Sequence, residues 1–63
     1  NRNILLDEME EYAKRIVPGG YLFLSGFYAS DVPLLEESAA SYGLLLQAQT
    51  EKEQWTCLRL QKV

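Results

Sequence analysis

Apolar residues recur at helical spacing in the first part of the chain. Four of them would share one helix face, at intervals of four, three and four residues: Leu5, Met9, Tyr12 and Ile16. This pattern predicts an amphipathic helix over residues 4–17. Asn3 or Asp7 is suited to cap its start, and the Pro-Gly-Gly sequence at 18–20 is suited to end it.

A short apolar segment, Tyr-Leu-Phe-Leu-Ser at residues 21–25, follows these glycines. Apolar side chains fall on both of its alternating faces, which predicts a strand buried on both sides. Residues 26–28 are expected to turn the chain. A second amphipathic helix then begins at Ser30 or Asp31 and ends at Gly43.

The last third of the chain has the pattern of a hairpin, because strand-like runs at 44–50 and 55–62 flank the polar residues 51–54. The element order helix-strand-helix-strand-strand indicates the α/β class and a mixed three-stranded sheet. If the last strand lies between the other two and antiparallel to both, the helices cover one sheet face and leave the other bare. That bare face, and a start other than methionine, lead us to expect that residues 1–63 are a fragment rather than a complete domain.

Composition narrows the class of protein further. The 63 residues include six Lys and Arg, nine Asp and Glu, and no His, giving a net charge of −3. So short a chain holds at most one small domain, and Cys57 alone can form neither a disulfide within the chain nor a Cys/His zinc site. The acidic balance argues against direct nucleic-acid binding, and no run is long enough for a membrane span. We expect a cytoplasmic protein.

The residue types present exclude the common nucleophilic sites, because Ser/His/Asp and Cys/His arrangements both need histidine. Cys57 is either an inert strand thiol or a reactive one, and Trp55 with Arg59 is either sheet core or a nucleic-acid platform. Acidic residues of the two helices form either solvated faces or a carboxylate site: Asp7, Glu8, Glu10, Glu11, Glu36 and Glu37. We assign no catalytic, cofactor-binding or metal-binding residue.

The segment Ser25-Gly26-Phe27-Tyr28 lies between a strand and a helix, at the carboxyl end of the strand. Open α/β sheets bind their ligands at this edge. The segment is therefore either a simple turn or a wall that packs its two aromatic rings against a substrate.

Several motifs together resemble one enzyme family. The sequence N-R-N-I-L-L opens the chain, P-G-G occupies 18–20, S-G-F-Y-x-x-D-x-P occupies 25–33, and Trp55 lies in the final hairpin. This combination resembles the carboxyl-terminal part of the PrmA methyltransferases. Those enzymes use S-adenosylmethionine to methylate amino groups of the eleventh protein of the large ribosomal subunit.

The resemblance implies the carboxyl-terminal part of a Rossmann-like class I methyltransferase fold, with the last two strands as an antiparallel hairpin. It also implies that the cofactor site lies upstream, so that the chain alone is inactive. Two sets of residues correspond to parts of the family's site, namely the substrate-side loop (Ser25, Gly26, Phe27 and Tyr28) and the fringe of an upstream asparagine motif (Asn1 and Asn3). In that loop, Phe27 and Tyr28 either wall the substrate amine or fix the following helix.

A second hypothesis comes from the bare sheet face. The chain could be a self-standing interaction module that docks a partner through this face or through an edge strand. Under either hypothesis we expect the isolated chain to self-associate.

Overall fold

All 63 residues are described by a computed structural model. The predicted order of two helices and three strands is confirmed, as is the α/β class. The elements are α1 (Arg2–Arg15), β1 (Tyr21–Phe27), a short 3-10 helix (Ala29–Asp31), α2 (Val32–Ser41), β2 (Leu44–Lys52) and β3 (Trp55–Lys62).

Helix α1 begins two residues earlier than its apolar pattern predicts. Its N-cap is Asn1, whose Oδ1 accepts hydrogen bonds from the backbone N–H groups of Asn3 (2.9 Å) and Ile4 (3.4 Å). The expectation that Asn3 or Asp7 caps the helix is therefore wrong. An asparagine at this position satisfies backbone donors that the first turn leaves without a partner.

The other end of α1 is fixed by the end of the chain. The Lys62 ammonium donates a 2.8 Å hydrogen bond to the Ala13 carbonyl, in the last turn of the helix. A cation there complements both the unpaired carbonyls and the negative end of the helix dipole. The backbone of Lys62 also bonds to Gly19 and Gly20, so that the Pro-Gly-Gly turn is tied to β3.

The strands are arranged in the order β1-β3-β2, with β3 antiparallel to both neighbours. This is the order that the sequence predicts for a central last strand. The sheet is nevertheless not mixed, because β3 separates the two strands that run in the same direction and every hydrogen-bonded pair is antiparallel.

Two details of the sheet differ from the predicted boundaries. Strand β1 does not end at residue 25 but continues to Phe27 through an irregularity in its pairing between Ser25 and Phe27. Strands β2 and β3 are joined by only two residues rather than four, and the first of these, Glu53, has a positive φ of 59°.

The core lies between the helices and one face of the sheet. Ten buried side chains form a single cluster to which both helices and all three strands contribute: Met9, Ala13, Leu24, Phe27, Val32, Leu35, Ala39, Leu44, Leu58 and Leu60. Both helices therefore cover the same sheet face, as the topology predicts.

The opposite face of the sheet, called here the open face, is bare. Tyr21 and Phe23 are 52% and 67% exposed, so the prediction that β1 is buried on both sides is wrong for this chain. The Arg59 guanidinium lies 5.5 Å from the centre of the Tyr21 ring, within cation–π distance. Neither helix is both long and apolar enough to cross a membrane.

Candidate functional site

A cavity of about 370 Å³ lies where α1 begins and β1 ends. The structure brings together at this cavity the two sets of residues that the sequence singles out, namely Asn1 with Asn3 and the segment 25–28. The exception is Ser25, which pairs with Cys57 within the sheet. The cavity is lined by Asn1, Arg2, Asn3, Gly26, Phe27, Tyr28, Asp31 and Trp55.

The end of β1 directs two consecutive aromatic residues to different places. Gly26 has a φ of +87°, and a Cβ built there would meet no atom within 4 Å. Glycine is needed at this position for its backbone conformation rather than for space. The bulge at Gly26 leaves Phe27 almost fully buried, at 2% exposure, while Tyr28 is 50% exposed.

The two rings therefore have different surroundings. Phe27 belongs to the core cluster and pairs across the sheet with Thr56, which supports the alternative that its ring fixes the following helix. Tyr28 instead stacks on Trp55, with ring centres 5.1 Å apart and planes inclined by 21°. This geometry is typical of a favourable aromatic pair, and it forms an apolar wall beside the cavity.

Trp55 is the site residue whose place the sequence reasoning missed. Neither interpretation offered for it describes its position, since it is 43% exposed at the first position of β3 and stacks on Tyr28. A usable signal was present in the sequence. A central, antiparallel β3 necessarily starts beside the end of β1, and Trp55 is the first residue after the hairpin turn.

Asp31 organises the segment between β1 and α2. Its backbone N–H donates to the Tyr28 carbonyl at 2.9 Å, and its Oδ2 accepts from the Tyr28 N–H at 3.2 Å. Its Oδ1 accepts from Arg2 Nη1, also at 3.2 Å. The sequence suggested Ser30 or Asp31 as the cap of α2; Asp31 occupies that position but makes no side-chain capping bond to the helix.

The two asparagines at the cavity have different roles. The Oδ1 atom of Asn1 is engaged in capping α1, whereas the Asn3 side chain makes no hydrogen bond within the chain. The Asn3 amide is thus available to a group entering the cavity, as both donor and acceptor.

The other candidate groups lie away from the cavity. Glu10 and Glu11 form exposed i,i+4 ion pairs with Lys14 and Arg15, at 3.9 and 3.8 Å, as expected for a solvated helix face. Cys57 is partly exposed on the open face beside Phe23. No cluster of three or more His, Cys, Asp or Glu side chains is placed to hold a metal ion.

Comparison with known proteins agrees with the resemblance that the sequence motifs indicate. The ribosomal protein L11 methyltransferase of Porphyromonas gingivalis is 49% identical to this chain over 59 residues, and that of Bacteroides fragilis is 41% identical over the same length. This chain is similar to ribosomal protein L11 methyltransferases. The resemblance that the motifs indicate is therefore confirmed, although no protein-family model matches the chain.

The alignments cover nearly all of this chain but only a small part of each relative. The matches include 94% of this chain but only 20% of the Porphyromonas gingivalis methyltransferase and 21% of the Bacteroides fragilis one. The chain thus spans about one fifth of the length of these methyltransferases, and it matches a segment of them.

The cavity does not fit S-adenosylmethionine as a complete site. Asp31 is the one carboxylate in its lining, and both of its oxygens are engaged by Arg2 and by the Tyr28 backbone. No free carboxylate in the cavity is left to bind ribose hydroxyls, and the chain has no glycine-rich loop of the G-x-G-x-x-G type.

Proposed function

We propose that this chain is the carboxyl-terminal part of the catalytic domain of an S-adenosylmethionine-dependent methyltransferase, and that it forms the substrate side of the active site. The target is an amino group of a large-subunit ribosomal protein, and the compartment is the cytoplasm. One observation carries the proposal: the segment after β1 and the residues that begin α1 line one cavity, in a chain similar to ribosomal protein L11 methyltransferases.

The fold is compatible with this assignment. In a Rossmann-like class I methyltransferase, the last strands form a reversed hairpin at one side of a larger sheet. Here β2 and β3 form a hairpin, and β3 inserts beside β1. The bare open face is the surface on which the remainder of such a domain would pack.

The residues of this chain would orient the substrate rather than bind the cofactor. S-adenosylmethionine, held by residues outside this chain, would supply the methyl group when bound. Tyr28 and Trp55 offer apolar surface to the aliphatic part of an incoming amine and displace water from its path. Asn3, which also lines the cavity, offers hydrogen-bonding groups to the same amine. Holding the amine in one orientation accounts for a large share of the rate in such transfers.

Substitutions in the full-length enzyme distinguish the roles of the two aromatic residues, Phe27 and Tyr28. Tyr28→Ala should lower turnover of the ribosomal protein substrate more than it lowers the affinity for S-adenosylmethionine. Phe27→Ala should instead destabilise the protein, by about 3–5 kcal/mol, because the ring is buried. Tyr42→Ala, at a partly exposed tyrosine at the end of α2, is the matched control. Equal losses of turnover and cofactor affinity in Tyr28→Ala would contradict a role in the substrate wall.

Isothermal titration with S-adenosylmethionine tests the placement of the cofactor site. We expect the full-length enzyme to bind and the 63-residue chain to give no heat of binding. Saturable binding by the chain alone would show that it contains more of the active centre than the cavity indicates.

A second function is favoured by the open face. With Tyr21 and Phe23 exposed on it, the chain could serve as an interaction module that docks a partner protein through this face or through the edge of β1. The encoded reading frame distinguishes the two proposals. A long upstream segment with a glycine-rich loop supports the methyltransferase, and a start codon next to Asn1 supports the module.

A further inference from the structure

The Asp31 carboxylate joins two parts of the chain that lie 29 positions apart. One of its oxygens accepts from Arg2, on the first turn of α1, and the other accepts from the backbone of Tyr28. Through the Tyr28–Trp55 stack, this connection extends along the wall of the cavity to the start of β3.

The ion pair differs from the others in the chain. The Asp31 side chain is 15% exposed and that of its partner Arg2 is 42% exposed, whereas the side chains of Glu10 and Lys14 are 59% and 66% exposed and their charged atoms are 3.9 Å apart. A carboxylate that is shielded from water and holds one donor on each oxygen fixes geometry more firmly than a solvated pair does.

The carboxylate caps the 3-10 helix Ala29–Asp31 through the Tyr28 N–H but does not cap α2. Asp31 makes no side-chain capping bond to α2, and the helix is held to the core by Val32, Leu35 and Ala39. What the carboxylate fixes directly is the backbone of Tyr28 and its position relative to α1.

We infer that Asp31 is a positioning residue for amine methylation, which holds Tyr28 in place against Trp55 and ties this wall to the Asn3 side of the cavity through Arg2. This inference rests on the proposed function. Loss of the carboxylate would leave the cofactor site intact but allow the substrate amine to adopt unproductive orientations.

The test uses the full-length enzyme with S-adenosylmethionine and its ribosomal protein substrate. Asp31→Ala should lower kcat/KM for the protein substrate by on the order of tenfold or more, the scale expected of a misplaced substrate. The Kd for S-adenosylmethionine, measured by isothermal titration, should stay unchanged. Asp31→Asn keeps an oxygen that accepts from the Tyr28 N–H, and its kcat/KM should be close to that of the wild type.

A double-substitution cycle tests the link to α1. Arg2→Gln alone should lower kcat/KM by less than Asp31→Ala does, because the bond to Tyr28 remains. When Arg2→Gln is combined with Asp31→Ala, kcat/KM should fall no further than in Asp31→Ala alone, since both residues act through one carboxylate. Glu10→Ala, which breaks an exposed ion pair away from the cavity, is the matched control and should leave the kinetics unchanged.

Three results would overturn the inference: wild-type kinetics in Asp31→Ala, equal losses of turnover and S-adenosylmethionine affinity in that variant, or fully additive effects of Arg2 and Asp31. Failure of the proposed function has a different signature. In that case the wild-type protein itself would neither bind S-adenosylmethionine nor methylate the ribosomal protein.

Discussion

The buried hydroxyl of Thr56 offers a direct test of the packing between the sheet and the helices. Thr56 is 1% exposed, and its Oγ1 atom has no hydrogen-bond partner. Leaving a buried hydroxyl unpaired costs about 1–3 kcal/mol relative to its hydrated state. Thr56→Val replaces this hydroxyl by a methyl group of similar size. We therefore expect the free energy of unfolding to rise by about 1 kcal/mol.

Urea denaturation followed by circular dichroism measures this change. The midpoint should move to higher urea concentration without a change in slope, because the surface exposed on unfolding stays the same. Thr50→Val is the matched control, since Thr50 is exposed on β2 and its substitution should change stability by less than about 0.5 kcal/mol. A Thr56→Val protein less stable than wild type would refute the reasoning, because it would show that the hydroxyl has a stabilising partner.

Three further predictions follow from single features. Glu53→Asn should stabilise the hairpin by about 0.5–1 kcal/mol, since asparagine tolerates a φ of 59° better than glutamate; an unchanged unfolding midpoint would count against strain at this residue. The isolated chain should sediment as a dimer or larger, and Phe23→Lys on the open face should shift it toward monomer; a monomeric wild-type chain would contradict this. The pKa of Tyr12 is raised above its ordinary value, mainly by partial burial and to a smaller extent by the hydrogen bond from its hydroxyl to Glu8. Glu8→Gln should therefore lower the pKa of Tyr12 in an NMR titration. An unchanged pKa would mean that burial alone raises it.

The regular parts of the fold were predictable because each depends on local pattern. The spacing of Leu5, Met9 and Tyr12 defines the inner face of α1, and the alternation in β3 places Leu58 and Leu60 inward. The order β1-β3-β2 was expected if the last strand lay between the other two, and the structure confirms that it does. The pattern in β1 placed the end of the strand two residues too early. It also implied cover on both faces, because a sequence pattern cannot show whether that cover is present in the same chain.

The parts of the site that escaped prediction depend on contacts between distant residues. Nothing around Asp31 in sequence indicates that Arg2 will reach it, and a helix cap is the usual role for an aspartate before a helix. The bulge at Gly26 likewise arises from pairing with β3, and it decides that Phe27 turns inward and Tyr28 outward. The structure places Gly26, Phe27 and Tyr28 of the predicted segment at the cavity, while the different surroundings of Phe27 and Tyr28 required the tertiary structure.

The position of β3 in the sheet has a consequence for biosynthesis. β1 and β2 both precede β3 in the chain, so neither can pair with β3 until β3 has left the ribosome. The hydrogen bonds that the backbone N–H groups of Lys62 and Val63 donate to the Gly20 and Gly43 carbonyls form last, because these two residues emerge after the rest of β3. Until β3 has emerged, β1 and β2 lack the strand that joins them in this sheet, and strand edges without a partner favour aggregation. Formation of this three-stranded sheet therefore depends on β3, the strand that follows both of its partners in the chain.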